Sequence, residues 1–284
     1  SDRETGAVTP PIHLATTFKH GPAAERIAGY EYQREGNPTN DRLRAAIAAL
    51  EGAEEALTFA SGMAAATTLL ESLPAGARIV LPDDCYAGVR MLASEFLPER
   101  GVSVQRVDMA DLAAVEAACA SGIDLLWVET PSNPLMKLSD IAALAALAHA
   151  QNALLVCDNT FASPVLQQPL ALGADIVMHS TTKYFGGHSD VLGGALAFKR
   201  GDALYQRVAH RLHITGAVLA PFNAWLTLRG CRSLPARMAL HCSNARKVTE
   251  FLAAQPQVER VNYPGLATHP GHALAARQMR DFGG

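Results

Sequence analysis

Cysteines are few in this chain and widely spread. There are five among 284 residues, and no two lie closer than eleven positions. This pattern excludes a disulfide framework and a zinc cluster, and it is typical of the reducing cytoplasm, where we expect the protein to be. No apolar run approaches the roughly 18 residues that a membrane-spanning helix needs, so we expect no membrane insertion.

The chain also lacks an excess of charge. It has 24 basic and 27 acidic side chains, which indicates no nucleic-acid or polyanionic partner. The glycine-rich dinucleotide-binding motif, the phosphate-loop Gly-Lys-Ser/Thr and the Gly-x-Ser-x-Gly nucleophile elbow are absent from the sequence. Dehydrogenase, nucleotidase and α/β-hydrolase activities therefore have no signature in this chain.

Short apolar segments are what the chain has in abundance. Hydrophobic residues make up 49% of it, enough for a large core. Short apolar runs alternate with segments of helical spacing, which predicts an α/β fold with a mostly parallel sheet between helices. The predicted strands are 57–60, 78–82, 102–107, 125–128, 153–157, 175–178, 192–198 and 258–263. The predicted helices are 40–50, 64–73, 88–97, 111–119, 139–150 and 235–254.

The composition changes along the chain and suggests three parts. Residues 1–38 are polar and rich in turn residues, which predicts an extended arm. Residues 39–240 form the predicted central domain, and 241–284 the start of an incomplete C-terminal α/β domain. The chain begins without an initiator Met, so we expect it to be a piece of a longer protein.

Reactive polar residues follow the predicted strands where each strand ends. Asp158 follows strand 153–157, and Lys183 lies shortly after strand 175–178. Ligands bind at the carboxyl ends of strands in an open parallel sheet, so these side chains are expected to meet in one cleft. Burial of Lys183 there would favour its neutral amine, the form that attacks a carbonyl carbon.

The neighbours of Lys183 are typical of a phosphate site. Ser180 and Thr182 are two residues apart, so in an extended segment they face the same way and can donate hydrogen bonds to an anion. Gly62 and Met63 open a predicted helix, whose first N–H groups are also suited to an anion.

Two further residues complete the requirements of a pyridoxal 5′-phosphate site. Asp158 can keep a pyridine nitrogen protonated, and Tyr86, which follows strand 78–82, can stack on the ring. Taken singly, Asp158 is better explained as a helix cap, and Tyr86 could be an aromatic side chain of the core. The histidines lack partners at metal-binding spacing, so no metal is expected.

The order of motifs resembles a known family. The segment Ser180-Thr181-Thr182-Lys183-Tyr184 is similar to the cofactor-attachment signature of the Cys/Met-metabolism pyridoxal phosphate enzymes. Further similar segments follow in family order along nearly the whole chain. They are Gly29 to Arg34, Asn37-Pro38-Thr39, Leu50-Glu51-Gly52, Ser61-Gly62-Met63, Glu129 to Pro134, Asp158 to Phe161, Gly187 to Asp190, Leu228-Arg229-Gly230 and Tyr263 to Leu266.

This resemblance implies a fold and a role for each site residue. The fold would be the type I fold of aspartate aminotransferase. Lys183 would hold the cofactor covalently and shuttle protons, Asp158 would pair with its pyridine nitrogen, and Tyr86 would stack on the ring and assist acid–base steps. Asn133 would lie near the 3′-oxygen or the substrate carboxylate. The phosphate ligands would be Gly62, Met63, Ser180 and Thr182.

The resemblance also implies partners. Tyr32 and Arg34 in the arm would reach the phosphate held by a neighbouring subunit, in a homotetramer built of catalytic dimers. If they do not, they are solvated residues of the arm.

The family contains several activities on small amino-acid substrates. Methionine γ-lyases typically have a cysteine two residues after the stacking tyrosine, where this chain has Gly88, so that activity is not expected. The Asp84-Cys85-Tyr86 run looks most like the bacterial γ-synthases, which join an O-acylhomoserine to cysteine. A cystathionine γ-lyase, a homoserine-ester sulfhydrylase and a catalytically silent scaffold are the alternatives.

Overall fold

One seven-stranded sheet forms the centre of the molecule in the computed structural model, which describes residue 2 and residues 4–284. The strands are β1 (Glu55–Phe59), β2 (Arg78–Pro82), β3 (Ser103–Val107), β4 (Leu125–Glu129), β5 (Leu154–Asp158), β6 (Ile176–His179) and β7 (Gly194–Phe198). Their order is β1-β7-β6-β5-β4-β2-β3, and β7 runs antiparallel to both of its neighbours while the other pairs are parallel. The predicted mostly parallel sheet is confirmed.

Helices cover both faces of this sheet. They are α1 (Pro38–Glu51), α2 (Gly62–Glu71), α3 (Ala87–Met91), α4 (Leu112–Cys119), α5 (Ile141–Ala150), α6 (Ser163–Leu166), α7 (Ala203–Thr215), α8 (Pro221–Cys231), α9 (Leu234–Ala253) and α10 (His272–Gln278). A π-helical turn and a 3-10 turn continue the chain after α3.

The side-chain alternation of the strands divides the core into two layers. Trp127 and Val156 point to one face, where α2 and α7 pack, while Val128 and Cys157 point to the other, where α1, α5 and α9 pack. All four side chains are fully buried. The central strands therefore read as continuous apolar runs, because neither face of the sheet meets water.

Short polar side chains begin several of these helices. Ser61, Asp111 and Asp140 each accept a hydrogen bond from the backbone N–H three residues later, which satisfies a donor that the first helical turn leaves free. Gly52 ends α1 with φ of 70°, a left-handed conformation that glycine adopts without a steric cost.

Two predictions about the second half of the chain need comment. The strand predicted at 258–263 is wrong: the segment is not assigned to a strand, since no neighbouring segment among the described residues pairs with it. The predicted domain boundary at 240/241 falls inside the continuous helix α9. The division into domains stays a prediction.

Two kinds of feature are absent from residue 2 and residues 4–284. None of the helices there is both long and apolar enough to cross a membrane. In the same residues, no cluster of three or more His, Cys, Asp or Glu side chains is arranged to hold a metal ion.

Asn37 ties the N-terminal arm to α1 and provides a test of the fold. Its side chain accepts a hydrogen bond from the N–H of Thr39 and donates one to the carbonyl of His13, each at 2.8 Å, and it is fully buried. We expect Asn37→Ala to lower the free energy of unfolding by about 2 kcal/mol, because it removes a helix cap and leaves the half-buried carbonyl of His13 unpaired. Urea unfolding measures the loss. Asn37→Ser, which keeps a capping oxygen, should recover part of it, and equal losses in both variants would contradict the capping role.

Candidate active site

One cavity of 390 Å³ lies at the carboxyl ends of β4, β5 and β6, beside the start of α2. Its walls contain every site residue predicted from the sequence except Tyr32 and Arg34. The lining residues are Ser61, Gly62, Met63, Tyr86, Glu129, Asn133, Asp158, Thr160, Phe161, Met178, Ser180, Thr182, Lys183 and Leu192.

The alternation along β5 and β6 decides which polar side chains reach this cavity. Asp158 and Ser180 line it, whereas Asn159 and His179 contact Glu51 of α1. The amide of Asn159 donates to Glu51 Oε1 at 3.1 Å, and His179 Nε2 lies 2.5 Å from the same oxygen. His179 is therefore part of a buried structural network behind the cavity.

Asp158 is buried with only neutral donors holding it. Its Oδ1 accepts hydrogen bonds from the backbone N–H and the hydroxyl of Thr160, at 3.0 and 2.6 Å. Burial raises the pKa of the Asp158 carboxyl above its ordinary value, and the Thr160 hydrogen bonds oppose that shift. The Thr160 hydroxyl in turn accepts the backbone N–H of Ser180 at 2.9 Å, so both ends of the cavity are linked.

Glu129 is a second buried carboxylate, and the sequence analysis did not include it among the site residues. It ends β4 in register with Asp158 on β5 and is only 7% exposed. Burial, and then the charge of Asp158, raises the pKa of Glu129 to about 8, although the backbone N–H groups of Tyr86 and Asn133 lower it. Its position in the sequence could have indicated that it belongs to the site, because Glu129 is a carboxylate at the end of a buried apolar strand, as Asp158 is.

The start of α2 forms the anion-binding end of the cavity. The Ser61 hydroxyl accepts the N–H of Ala64 at 3.0 Å and caps the helix. The N–H groups of Gly62 and Met63 belong to the first turn of α2, where no intrahelical acceptor precedes them. A Cβ on Gly62 would lie 3.0 Å from Ser180 Cβ and 3.2 Å from Met178 Cε. Glycine therefore allows the helix to approach the end of β6.

Lys183 and Thr182 lie in the turn that follows β6. Lys183 is exposed although it lines the cavity, so the expected burial of this side chain is wrong. The lysine lies four residues beyond the end of β6, and it lines the cavity from the turn rather than from the buried strand. The Thr182 hydroxyl is already engaged, accepting the Gly193 N–H at 3.1 Å and donating to the Gly193 carbonyl at 3.2 Å.

Tyr32 and Arg34 lie in a different groove of the same chain. The Arg34 guanidinium donates to the carbonyl of His213 at the end of α7, at 2.6 Å, and is 5.4 Å from the centre of the Tyr32 ring. The fold of one chain therefore does not bring these two residues together with Lys183 and Asp158.

Comparison with known proteins identifies the family. The sequence profile described as "Cys/Met metabolism PLP-dependent enzyme" matches residues 1–284. The chain belongs to this family. It is consequently an enzyme of Cys/Met metabolism that uses pyridoxal 5′-phosphate, and its fold is the type I fold.

Relatives within the family carry different names. The chain is 49% identical to cystathionine gamma-synthase of Mycobacterium tuberculosis, covering all of this chain and 73% of the relative. It is 44% identical to cystathionine beta-lyase of Lactococcus lactis, with all of this chain and 74% of the relative covered. The crystal structure of cystathionine gamma-lyase from Lactobacillus plantarum complexed with L-serine superposes with a TM-score of 0.96 at 42% identity, over 99% of this chain and 73% of that one.

The cavity of this family member suits pyridoxal phosphate at both of its charged ends. Asp158 is a buried carboxylate that takes part in no ion pair within residue 2 and residues 4–284, and a protonated pyridine nitrogen is the cation that complements it. At the other end, the absent Cβ of Gly62 leaves the first amides of α2 open to a phosphate. Lys183 and Tyr86 also line the cavity, where an amine and an aromatic ring are required.

The close approach at Gly62 leads to a prediction for cofactor binding. Gly62→Ala should raise the dissociation constant for pyridoxal phosphate at least about tenfold, because the new methyl group pushes the start of α2 away from Ser180. Absorbance titration of the cofactor-free enzyme measures this constant. Gly201→Ala is the control, since its Cβ would meet only the flexible side chain of Glu55, at 3.2 Å and away from the cavity. Unchanged affinity in Gly62→Ala would contradict the proposed phosphate end.

The raised pKa of Glu129 leads to a prediction for stability. The folded protein holds this proton up to about pH 8, whereas the unfolded chain releases it near 4.5. The contribution of Glu129 to the free energy of unfolding is therefore fully present below pH 4.5, and it is lost as pH rises through about 8. We expect the unfolding free energy of the cofactor-free protein to fall across this range by about 1 kcal/mol per pH unit. Urea unfolding of Glu129→Gln should give a flatter pH profile, and parallel profiles would show that Glu129 is not the group responsible.

Proposed function

We propose that this enzyme forms cystathionine by γ-replacement, from an O-acylhomoserine and cysteine, with O-succinylhomoserine as the expected donor. The gathering of Lys183, Asp158 and Tyr86 around one cavity carries the proposal. The γ-synthase of Mycobacterium tuberculosis, at 49% identity, is more similar to the chain than the two lyases at 44% and 42%, and this favours replacement over elimination.

Gly88 supports the same branch of the family. A Cβ at this position would lie 2.7 Å from Met63 Sδ and 2.8 Å from Tyr86 Cε1. A cysteine there, as methionine γ-lyases typically have, would displace one of these two cavity residues.

Each cavity residue has a task in this proposal. The bound cofactor supplies an electron sink that stabilises negative charge at the substrate Cα. Lys183 would hold the cofactor through its aldehyde, and its amine would move protons at Cα and Cβ of the substrate. Asp158 keeps the pyridine nitrogen protonated, and its burial strengthens that charge pairing. Tyr86, which is 48% exposed, stacks on the ring and faces the entering substrate.

The amides at the start of α2 and the Ser180 hydroxyl hold the phosphate, and Thr182 joins them if its contact with Gly193 opens. Asn133 lies where it can bind the cofactor 3′-oxygen or the substrate carboxylate.

The assembly is part of the proposal. Tyr32 and Arg34 lie away from the cavity of their own chain, which supports their use at the cavity of a second copy in a homotetramer of catalytic dimers. All five cysteines are free thiols, which supports a location in the reducing cytoplasm.

Cystathionine γ-lyase activity is the second candidate. The match to the Lactobacillus plantarum γ-lyase, at a TM-score of 0.96, favours it. Elimination requires the same cavity residues for the early proton transfers, so only the products distinguish the two reactions.

Product analysis by mass spectrometry tests the proposed reaction. The enzyme loaded with pyridoxal phosphate is supplied with O-succinylhomoserine or O-acetylhomoserine together with cysteine, and in parallel with cystathionine alone. Cystathionine from the first mixtures, with little cleavage in the second, is the expected result. Cysteine, 2-oxobutanoate and ammonia from cystathionine alone would show a γ-lyase instead.

A substitution at Lys183 tests the proposed role of this lysine whichever of the two candidate reactions the enzyme catalyses. Lys183→Ala should abolish turnover while leaving the far-ultraviolet circular dichroism unchanged, since the side chain is exposed and lies in a turn. Lys199→Ala, in another exposed position outside the cavity, is the control and should keep wild-type turnover. Near-normal activity in Lys183→Ala would refute the assigned role.

A further inference from the structure

Two loops form one wall of the cavity, and each carries a residue that faces the cofactor. The loop after β2 leads to Tyr86, and the loop after β4 carries Asn133. The loops touch each other outside the cavity. There, the buried Asp84 accepts hydrogen bonds from the Ser132 hydroxyl and, at 3.2 Å, from the N–H of Leu135.

On the cavity side, the Glu129 carboxylate joins the same two loops. Its Oε2 accepts the backbone N–H of Tyr86 at 2.8 Å, across two adjacent strands and 43 positions of sequence. The backbone N–H of Asn133 also stabilises its charged form. The Glu129 carboxylate thus holds the backbone of Tyr86, while Asp84 ties the loop that carries Asn133 to the same Tyr86 loop.

We propose that Glu129 is a positioning residue whose carboxylate fixes the Tyr86 segment, and through it the adjoining loop of Asn133, against the bound cofactor. This inference rests on the proposed function, because those two segments acquire their roles from the cofactor in the cavity. Glu129 does not react in this proposal; it sets where two contacting residues lie.

The surroundings of Glu129 couple this role to the charge on Asp158. The titratable groups that face it are Asp158 on β5 and the Asp84 and Cys85 side chains after β2. A positive charge next to Asp158 offsets the repulsion between the two carboxylates and so favours the charged form of Glu129, which accepts the Tyr86 N–H more strongly. Binding of the cofactor ring by Asp158 and fixing of the loops by Glu129 therefore reinforce each other.

The strand that carries Glu129 also offers a matched control. Asp124 directly precedes the other end of β4, and its Oδ2 accepts the backbone N–H of Arg78 in β2 at 2.7 Å. Asp124 and Glu129 thus each accept one backbone N–H, Asp124 from β2 and Glu129 from the loop that follows β2, but Asp124 lies outside the cavity lining.

The test compares Glu129→Ala and Glu129→Gln with Asp124→Asn and the wild type. Induced circular dichroism in the visible cofactor band measures how firmly the ring is held in an asymmetric setting, and absorbance titration of the cofactor-free enzyme gives the dissociation constant for pyridoxal phosphate. Borohydride reduction followed by mass spectrometry shows whether the Lys183 adduct still forms.

We expect Glu129→Ala to lose about half or more of the induced signal per bound cofactor and to bind pyridoxal phosphate about tenfold more weakly, while the adduct still forms. Glu129→Gln, which keeps one accepting oxygen, should fall between Glu129→Ala and the wild type. Asp124→Asn should match the wild type in signal and affinity.

Three results would overturn the proposal. The first is a wild-type circular dichroism signal and cofactor affinity in both Glu129 variants. The second is a loss of signal and affinity in Asp124→Asn equal to that in the Glu129 variants. The third is failure of Glu129→Gln to form the Lys183 adduct although its far-ultraviolet spectrum is unchanged. None of these measurements uses an amino-acid substrate. A finding that the enzyme is a γ-lyase would therefore leave the role of Glu129 standing.

Discussion

Two carboxylates lie side by side on adjacent buried strands, and the site depends on how the protein accommodates them. Glu129 and Asp158 are in register on β4 and β5, and each is less than a tenth exposed. Burying charge without compensation is costly, so each carboxylate is held by hydrogen bonds and has a raised pKa. Under the proposed function, a protonated pyridine ring would supply the positive charge that reduces this cost.

The ends of β5 and β6 carry structural side chains on one face of the sheet and site side chains on the other. Alternation directs Asp158 into the cavity, while Asn159 and His179 meet Glu51 of α1 in a buried network. That network braces the ends of β5 and β6 from behind. In front, hydrogen bonds run from Ser180 through Thr160 to Asp158, so protein groups link the proposed phosphate end of the cavity to the proposed pyridine end.

Much of the sheet could be predicted from the sequence because its strands are short, apolar and separated by helical segments. The prediction failed at 258–263, where an apolar pattern alone cannot provide the neighbouring strand that pairing requires. It failed also for the burial of Lys183, since the exposure of a turn residue depends on the packing around it. Glu129 was missed because its importance comes from its register with Asp158 and from its bond to Tyr86, 43 positions away in sequence.

The sequence by itself determined the family, the cofactor and the residue types of the site. Those properties depend on local motifs, such as the segment around Lys183, and on their order along the chain, both of which are visible in the sequence. Only the tertiary structure decided which side chains share the cavity and which lie behind it or in a separate groove, as Arg34 does. Strand register and the close approach of α2 at Gly62 set those distances, and both result from the packing of segments far apart in the chain.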